Sequence, residues 1–278
     1  MDKFNIEEHL NSLPDNVEKI DVSYNNLNYL PDLSRFKNLQ ILYCYNNQLT
    51  SLFVLPKNLQ ILYCHYNKLT SLPVLPENLK VLCCSHNNLT LLPDLNKNLE
   101  LLWCNNNKLT LLPVLPENIK ELHCGNNVLT SLPVLPENIK DLRCGINNLT
   151  SLPVLPEKLE ILECSHNQLK SLPVLPENLK YLSCNHNYLT SLPVLPENLK
   201  ELAFLNNPIR DIIMYNHDIN IIKKNIIIWN NFRYLYYCLK HRKIFLKLME
   251  PIIKKKYHPS YLDNLTEDYD LDEILKKW

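Results

Sequence analysis

The chain contains only two glycines among 278 residues, and this scarcity excludes some kinds of site. Loops that cradle phosphate need glycine for backbone freedom and for close approach to the ligand, so we expect no nucleotide-binding loop of that kind. The chain also has no excess of charge of one sign, because 29 Lys and Arg residues balance 29 Asp and Glu residues. No net field therefore draws the chain onto nucleic acid or an anionic membrane, and we expect neither partner.

Long apolar runs are lacking as well. The nearest candidate, residues 221–229, is interrupted by Lys223 and Lys224, so no membrane-spanning helix is predicted. The opening MDKFNIEEHL has acidic residues where a signal peptide needs an apolar run. The expected location is therefore the cytoplasm, where the ten cysteines should be thiols.

A repeat of 20 residues dominates the chain from residue 39 to residue 198. Its consensus is close to N-L-K-x-L-x-C-x-x-N-x-L-T-S-L-P-V-L-P-E, and we number the unit from its first leucine. Position 4 is leucine in every turn, position 6 is cysteine in eight turns, and positions 11, 14 and 17 are leucine in the eight full units. Position 9 is always asparagine: Asn47, Asn67, Asn87, Asn107, Asn127, Asn147, Asn167, Asn187 and Asn207. A 22-residue unit from Val17 precedes these turns, and a broken tenth unit runs from Leu199 to about Ile212.

The period and its residues predict the shape of one turn. Positions 3 to 7 alternate as a half-buried strand does, so positions 4 and 6 should point into a core and positions 3, 5 and 7 outward. The stretch L-P-V-L-P should return as extended, polyproline-type chain, because proline fixes φ and disfavours helix before it. One turn alone cannot bury enough apolar surface, so the turns must stack with their strands parallel. The amide at position 9 should satisfy backbone groups where the strand turns away.

This pattern resembles the leucine-rich repeat, and specifically the short L-P-x-L-P type of secreted bacterial effectors. The resemblance covers residues 13–212 and implies an α/β-class horseshoe solenoid. It places a parallel β-sheet on the concave face, which that family uses to bind proteins, and extended chain on the convex side. The sequence departs from the family at position 6, where Leu or Val is commoner than Cys. It also has Phe53 and Asn96 in place of proline and Lys158 in place of asparagine.

Both ends of the chain are expected to be caps. Residues 1–16 form the predicted N-terminal cap, with a short helix carrying Phe4, Ile6 and Leu10 and a capping box of Asn5 and Glu8. Residues 17–212 are the repeats, and Phe204 should fill the last layer of the core. Residues 213–278 are predicted to be a small helical C-terminal cap, since the apolar residues Phe232, Leu235, Tyr236, Leu239, Phe245, Leu248 and Ile252 recur at helical spacing. Asp270 and Glu273 suggest another capping box.

The C-terminal segment carries a second resemblance. The runs N-N-F-R-Y-L-Y-Y-C-L-K at 230–240 and K-Y-H-P-S-Y-L-x-N-L-x-E-D-x-D-L-D-E-I-L-x-x-W at 256–278 are similar to the tails of giant-virus proteins of the mimivirus type. That resemblance implies no activity of its own. For a viral chain, the expected location is the cytoplasm of the host cell.

The outward strand positions vary most from turn to turn, and they are aromatic and apolar in the N-terminal half. Exposed Tyr, Trp and Ile in adjoining rows are typical of a protein interface. One alternative is that these residues are present only because their side chains favour β-strands. Another is that residues 213–278 cover them. The predicted partner-binding residues are Ile41, Tyr43, Tyr45, Ile61, Tyr63, His65, Leu101, Trp103, His123 and Arg143.

Metal binding and catalysis are not expected. Cys-x-His recurs at Cys84/His86, Cys164/His166 and Cys184/His186, but a buried column and a turn-facing column do not converge on one ion. Effector relatives that act as ubiquitin ligases have a Cys-x-Asp nucleophile in a separate large domain, and Cys238 lacks that motif. We therefore predict a non-enzymatic, monomeric interaction module without cofactors that binds a protein, in a host if the chain is viral. The alternative is a ubiquitin-pathway accessory whose helical tail recruits catalytic machinery.

Overall fold

The computed structural model describes residues 4–210 and 218–240. Ten strands of three residues form one parallel sheet in chain order: β1 Lys19–Asp21, β2 Ile41–Tyr43, β3 Ile61–Tyr63, β4 Val81–Cys83, β5 Leu101–Trp103, β6 Glu121–His123, β7 Asp141–Arg143, β8 Ile161–Glu163, β9 Tyr181–Ser183 and β10 Glu201–Ala203. Equivalent repeat positions pair across every interface, as Leu42 does with Leu62. The repeats therefore stack in register as a solenoid, which confirms the predicted fold.

Two helices lie in the described part of the chain, and the chain divides into two compact units. Helix α1 is Ile6–Ser12 and helix α2 is Ile219–Lys240. The units are Met1–Ile227, which contains the whole sheet, and Ile228–Trp278. Within residues 4–210 and 218–240, neither helix is long and apolar enough to span a bilayer.

The strands are shorter than the sequence predicts. They cover positions 3 to 5 of each turn, whereas we expected positions 3 to 7. Hydrogen bonding between turns continues beyond the strand, since Cys44 N donates to Tyr63 O at 2.9 Å. The chain bends because the residue at position 8 adopts a left-handed conformation in every repeat from the second to the last, with φ between 51° and 56°.

Most residues at position 8 suit that conformation, but Ile146 does not. Asparagine and histidine are enriched in the left-handed region, and they fill most of this column. Ile146 has φ 55° although it is β-branched, and its side chain is 53% exposed. A left-handed conformation costs an L-residue about 1–2 kcal/mol, so the stacked neighbours must hold this turn in place.

The core consists of leucine and cysteine columns. The leucines at position 4 and the cysteines at position 6 are fully buried from Leu42 to Cys184, as predicted. Leu202 in β10 is only partly buried because no further turn of the repeat covers it. Phe204 is fully buried in the last layer, so its size fills space at this end as expected.

The asparagine column joins each turn to the one before it. Asn127 Nδ2 donates to Cys124 O at 3.0 Å in its own turn and to Cys104 O at 3.1 Å in the preceding turn. Its Oδ1 accepts from Leu109 N at 2.9 Å. The same three types of bond recur from Asn47 to Asn207. The amide therefore satisfies backbone groups at the bend, as the sequence predicts, and does so across two turns at once.

The side of each turn opposite the sheet is extended chain without helix. Residues such as 51–56 have no regular secondary structure and end in a tight turn, where Leu59 N donates to Pro56 O at 3.1 Å. Leucines at position 17, such as Leu55 and Leu75, are buried, whereas some at position 14, such as Leu72, are only half-buried. Pro56 in this turn, and the two prolines that most other turns have, favour this extended geometry because proline fixes φ.

The short helix predicted near the N-terminus is present, and Asn5 lies at its first turn. Asn5 is the N-cap of α1, and its side chain accepts from Glu7 N and Glu8 N at 3.1 and 3.3 Å. Ile6 and Leu10 are buried and Phe4 is half-buried. The helix thus presents an apolar side at the start of the solenoid.

At the other end, α2 confirms a helix within the predicted C-terminal cap. Ile222 and Ile226 are buried, and Lys223 Nζ donates to Glu197 O at 3.1 Å. The predicted apolar positions 245, 248 and 252 and the capping box of Asp270 and Glu273 lie outside the described residues. The domain boundaries at 16/17 and 212/213 remain predictions.

Replacing Asn127 with alanine should lower the free energy of unfolding by about 1–3 kcal/mol. The change leaves the buried Leu109 N–H group without its acceptor, whereas Cys104 O and Cys124 O keep the amide groups of Asn107 and Asn147 as donors. A buried unsatisfied group costs about that much. Thermal melting followed by circular dichroism measures the loss. Asn148→Ala is the control because Asn148 is exposed in the next turn. Equal melting temperatures for the two variants would contradict this role of the column.

Candidate functional site

Seven aromatic rings form a connected cluster on the outward side of the sheet and the adjoining bend. Tyr43 and Tyr63 stack with ring centroids 5.0 Å apart, and Tyr45 stacks on His65 at 4.5 Å. Edge contacts join Tyr43 to Tyr45 and Tyr63 to His65. The remaining members are Tyr24, Tyr66 and His86. We call this set the tyrosine cluster; it contains four of the predicted binding residues.

A second ring pair lies two strands further along. Trp103 of β5 and His123 of β6 stack with centroids 5.4 Å apart and planes at 2°. The Trp103 Nε1 atom is buried and has no hydrogen-bond partner in the described part of the chain. The tyrosine cluster and this pair share no ring contact among the described residues, so the aromatic part of the face consists of two clusters on either side of β4.

Cys83 fills the space between the two clusters. Its side chain is buried, although we expected this outward position to be exposed. It occupies an outward position of β4 but is only 4% exposed, because the larger side chains of neighbouring strands cover it. Its Sγ lies 3.4 Å from His65 Nδ1. Burial raises the pKa of Cys83, and burial followed by the charge of His86 lowers the pKa of His65. Both groups are therefore neutral at pH 7, and the pair is a thiol–imidazole contact rather than an activated thiolate.

Three further outward residues, Ser85, Ser165 and Ser183, are also buried, which corrects the expectation that every outward side chain is accessible. Ser85 Oγ donates to Asn105 Oδ1 at 2.6 Å, and Ser165 Oγ and Ser183 Oγ lie 2.8 Å apart. Small side chains that bond to each other across turns are shielded by their own neighbours. The accessible part of this face is therefore formed by its larger residues. Ile41, Ile61 and Leu101 are half-buried at position 3.

The middle of the face carries an ion-pair group. Arg143 donates to both carboxylate oxygens of Asp141, with Nη2 3.0 Å from Oδ2, and His123 Nε2 lies 3.4 Å from the same oxygen without hydrogen-bond geometry. Burial raises the pKa of Asp141, but the interactions with His123 and Arg143 outweigh it and the net pKa is lowered. The structure thus brings the predicted residues His123 and Arg143 together through Asp141.

The two glycines of the chain lie side by side next to this group, at position 7 of adjacent turns. Neither has a positive φ, so space rather than backbone freedom explains them. The Glu163 carboxylate lies over Gly145 and accepts from Gly145 N at 3.1 Å and from Ser165 N at 3.0 Å. A Cβ atom on Gly145 would lie 2.4 Å from Glu163 Oε2. Gly145 is therefore the residue that lets this carboxylate bind the backbone.

The repeat cysteines are buried, which disfavours the thiolate form that binds metals and acts as a nucleophile. Among the described residues, Cys44, Cys64, Cys83, Cys84, Cys104, Cys124, Cys144, Cys164 and Cys184 are unpaired and buried. Burial raises the pKa of Cys44, Cys124 and Cys184 to about 12. Within the described ranges, no three His, Cys, Asp or Glu side chains gather as a metal site requires. Cys238 has no described side chain.

One groove away from the sheet was not predicted. It has a volume of about 1140 Å³ and lies between the turns at 91–98 and 111–118. Leu91 and Leu111 line it and are 54% and 55% exposed, at a position where most other turns have serine. The irregular residues Asp94 and Asn96 in the first of these turns were the sequence signal for it.

Solved structures similar to this chain are leucine-rich-repeat proteins. YopM from Yersinia enterocolitica WA-314 is 36% identical, with a TM-score of 0.66, over 72% of this chain and 48% of that one. The functional domain of InlJ from Listeria monocytogenes, described as including a cysteine ladder, is 29% identical with a TM-score of 0.66, over 74% and 47%. The leucine-rich repeat domain of APL1B, at 24% identity and a TM-score of 0.62, is similar in fold over 69% and 61%.

Neither a protein-family model nor a curated protein sequence matches the chain. The chain spans about half the length of the YopM and InlJ chains that it matches. The strand order and these likenesses together define the fold as a leucine-rich-repeat solenoid.

Gly145→Ala should lower stability by about 1–2 kcal/mol because it displaces the Glu163 carboxylate from two backbone N–H groups. In a Glu163→Ala background the same change should be neutral or slightly stabilising, since replacing glycine restricts the unfolded chain. Denaturant unfolding of the two single variants and the double variant measures the coupling. A coupling below about 0.5 kcal/mol would mean that the contact has no energetic role.

All ten cysteines should titrate as free thiols in denaturant without reductant. In the native protein at pH 8, the nine buried thiols should react far more slowly, because burial and a raised pKa leave little accessible thiolate. Reaction with a chromogenic disulfide reagent, with and without denaturant, measures both counts. A denatured count of eight or fewer would contradict the prediction.

Proposed function

We propose that this protein is a non-enzymatic interaction module that binds a protein partner on the outward face of its sheet. The observation that carries the proposal is the concentration of aromatic side chains at β2 to β6, where the tyrosine cluster and the Trp103–His123 pair lie. Trp and Tyr are the residues most often found as interface hot spots. The other candidate contacts, Ile41, Ile61, Leu101 and Arg143, lie on the same strands or on β7.

The fold supports this assignment because a stacked sheet offers a wide surface that the strand hydrogen bonds do not occupy. All strands pair edge to edge, so the outward side chains remain available for contacts. Ring stacking between turns also fixes the side chains before binding, and preorganised side chains lose little entropy on association. The leucine-rich-repeat resemblance implies the same use of this face.

Several finer assignments belong to this proposal and stay predictions. They are the L-P-x-L-P effector subtype, the giant-virus character of the tail, a host protein as partner, a monomeric state and a cytoplasmic location. The ubiquitin-pathway alternative has no observation in its favour among the described residues.

The double variant Tyr63→Ala, Trp103→Ala should weaken partner capture from a host lysate by at least about tenfold, because truncating two hot spots costs about 2 kcal/mol or more. Quantitative mass spectrometry of the captured proteins measures the effect at a temperature where circular dichroism shows the variant folded. The matched control is Val134→Ala, Val154→Ala, whose side chains are 86% and 85% exposed on the return segments.

Two results would contradict the proposal. One is equal loss of capture in the control pair, which would locate binding on the return segments. The other is a large fall in melting temperature of the Tyr63, Trp103 variant that disappears when the same substitutions are made in a chain without residues 213–278. That pair of results would mean that the chain covers its own aromatic face.

A further inference from the structure

The outward strand positions have an excess of carboxylates. Positions 3 and 5 of the ten strands carry five acidic residues and two basic ones, namely Asp21, Glu121, Asp141, Glu163 and Glu201 against Lys19 and Arg143. The chain as a whole is neutral, so this excess is a local property of the face. Complementary charge sets partner choice and association rate more than it sets affinity.

Both basic residues of the face are already engaged. Lys19 Nζ lies 4.7 Å from the centroid of the Tyr43 ring, and Arg143 binds Asp141. Glu163 in turn binds the backbone N–H groups of Gly145 and Ser165. The carboxylate of Glu121 differs from these, because it makes no hydrogen bond or ion pair with any residue in the described ranges.

Glu121 lies where the aromatic and charged parts of the face meet. In the sheet it pairs with Leu101 of β5 on one side and Asp141 of β7 on the other. Its own strand carries His123, which stacks on Trp103. Burial raises the pKa of Tyr63, and the charge of Glu121 contributes to that rise, so the carboxylate is within electrostatic reach of the tyrosine cluster.

The face already binds one cation in this way. The contact of Lys19 with Tyr43 places an ammonium over an aromatic ring, and Asp21 supplies a carboxylate on the same strand as Lys19. Aromatic rings attract cations through their quadrupole, and a nearby carboxylate adds to that attraction. Glu121 and Trp103 lie on adjacent strands, and no Lys or Arg side chain in the described ranges pairs with Glu121. His123 stacks on one face of the Trp103 ring, so a cation bound at Glu121 would pack against the remaining surface of that ring.

We propose that the protein segment bound on the sheet face is basic, with a Lys or Arg side chain that pairs with Glu121 and packs against Trp103. This inference rests on the proposed function and specifies the chemistry of the partner. Neighbouring strands are about 4.8 Å apart, so Glu121 lies roughly 19 Å from Tyr43 across four intervals. An extended segment covers that distance in about six residues, with its apolar residues over the tyrosine cluster and its basic residue at Glu121.

The test is fluorescence anisotropy of the full chain with two fluorescein-labelled eight-residue peptides, one alternating leucine with arginine and the other leucine with glutamate. The arginine peptide should bind at least about fivefold more tightly than the glutamate peptide, and Glu121→Gln should weaken its binding about three- to fivefold, as expected for one partly exposed ion pair. Glu121→Lys should reverse the preference between the peptides.

Glu177→Gln is the matched control because it removes one exposed carboxylate from a return segment and leaves the face intact. It should change affinity by less than about twofold. Equal weakening by Glu177→Gln and Glu121→Gln, or no preference for the arginine peptide, would overturn the inference.

The variant Tyr63→Ala, Trp103→Ala separates the two proposals in the same assay. If it weakens binding while Glu121→Gln does not, the basic partner is wrong and the aromatic binding face stands. If Glu121→Gln weakens binding of the arginine peptide and the aromatic variant does not, then the aromatic contact with the cation is overturned. If neither variant changes the affinity, the peptide binds elsewhere and both assignments fail for this probe.

Discussion

The bridge made by each position-9 asparagine is the interaction on which the rest of the structure depends. A strand of three residues offers few backbone hydrogen bonds, and every turn must then bend sharply toward the return segment. The amide of a residue such as Asn127 binds carbonyl oxygens of two successive turns and accepts from the backbone of the earlier one. Bending and stacking are thereby coupled, so no turn can adopt its bend without its neighbour. The spacing between side chains on the sheet face is therefore fixed by the spacing of the backbone turns.

That fixed spacing explains how an assembly of almost identical turns can carry a specific surface. Core columns hardly vary, whereas the outward positions change from Tyr43 and Tyr63 to Glu121 and Asp141 along the same rows. Stacked rings and ion pairs form between equivalent positions of adjacent turns because the strands are in register. The chemistry of the face can therefore differ between its two halves while the backbone stays the same.

Much of the fold follows from the sequence because the repeat applies one constraint many times. Leucine, cysteine and asparagine columns identify the core, the sheet and the bend, and proline identifies the extended return. The predicted strand length was wrong because the alternation of inward and outward side chains continues past the last paired residue. Cys44 points inward although its strand ends at Tyr43. Accessibility at the face was less predictable. Whether Cys83 is exposed depends on the size of side chains on neighbouring strands, which lie 20 residues away in the sequence.

Uniform turns also affect how the chain finds its native arrangement. A turn displaced by one whole unit along the stack would still bury the same leucines and satisfy the same amide, so such mis-threaded states differ little in energy from the native one. Off-pathway kinetic traps are characteristic of larger chains and of repeat proteins. The irregular residues Phe53, Asp94, Asn96 and Lys158 distinguish their turns from the others. Two of them make hydrogen bonds that the consensus residue would not make, since Asn96 Nδ2 donates to Pro76 O and Lys158 Nζ donates to Asn138 Oδ1. Small departures from the consensus thus favour the native alignment of turns that are otherwise nearly identical.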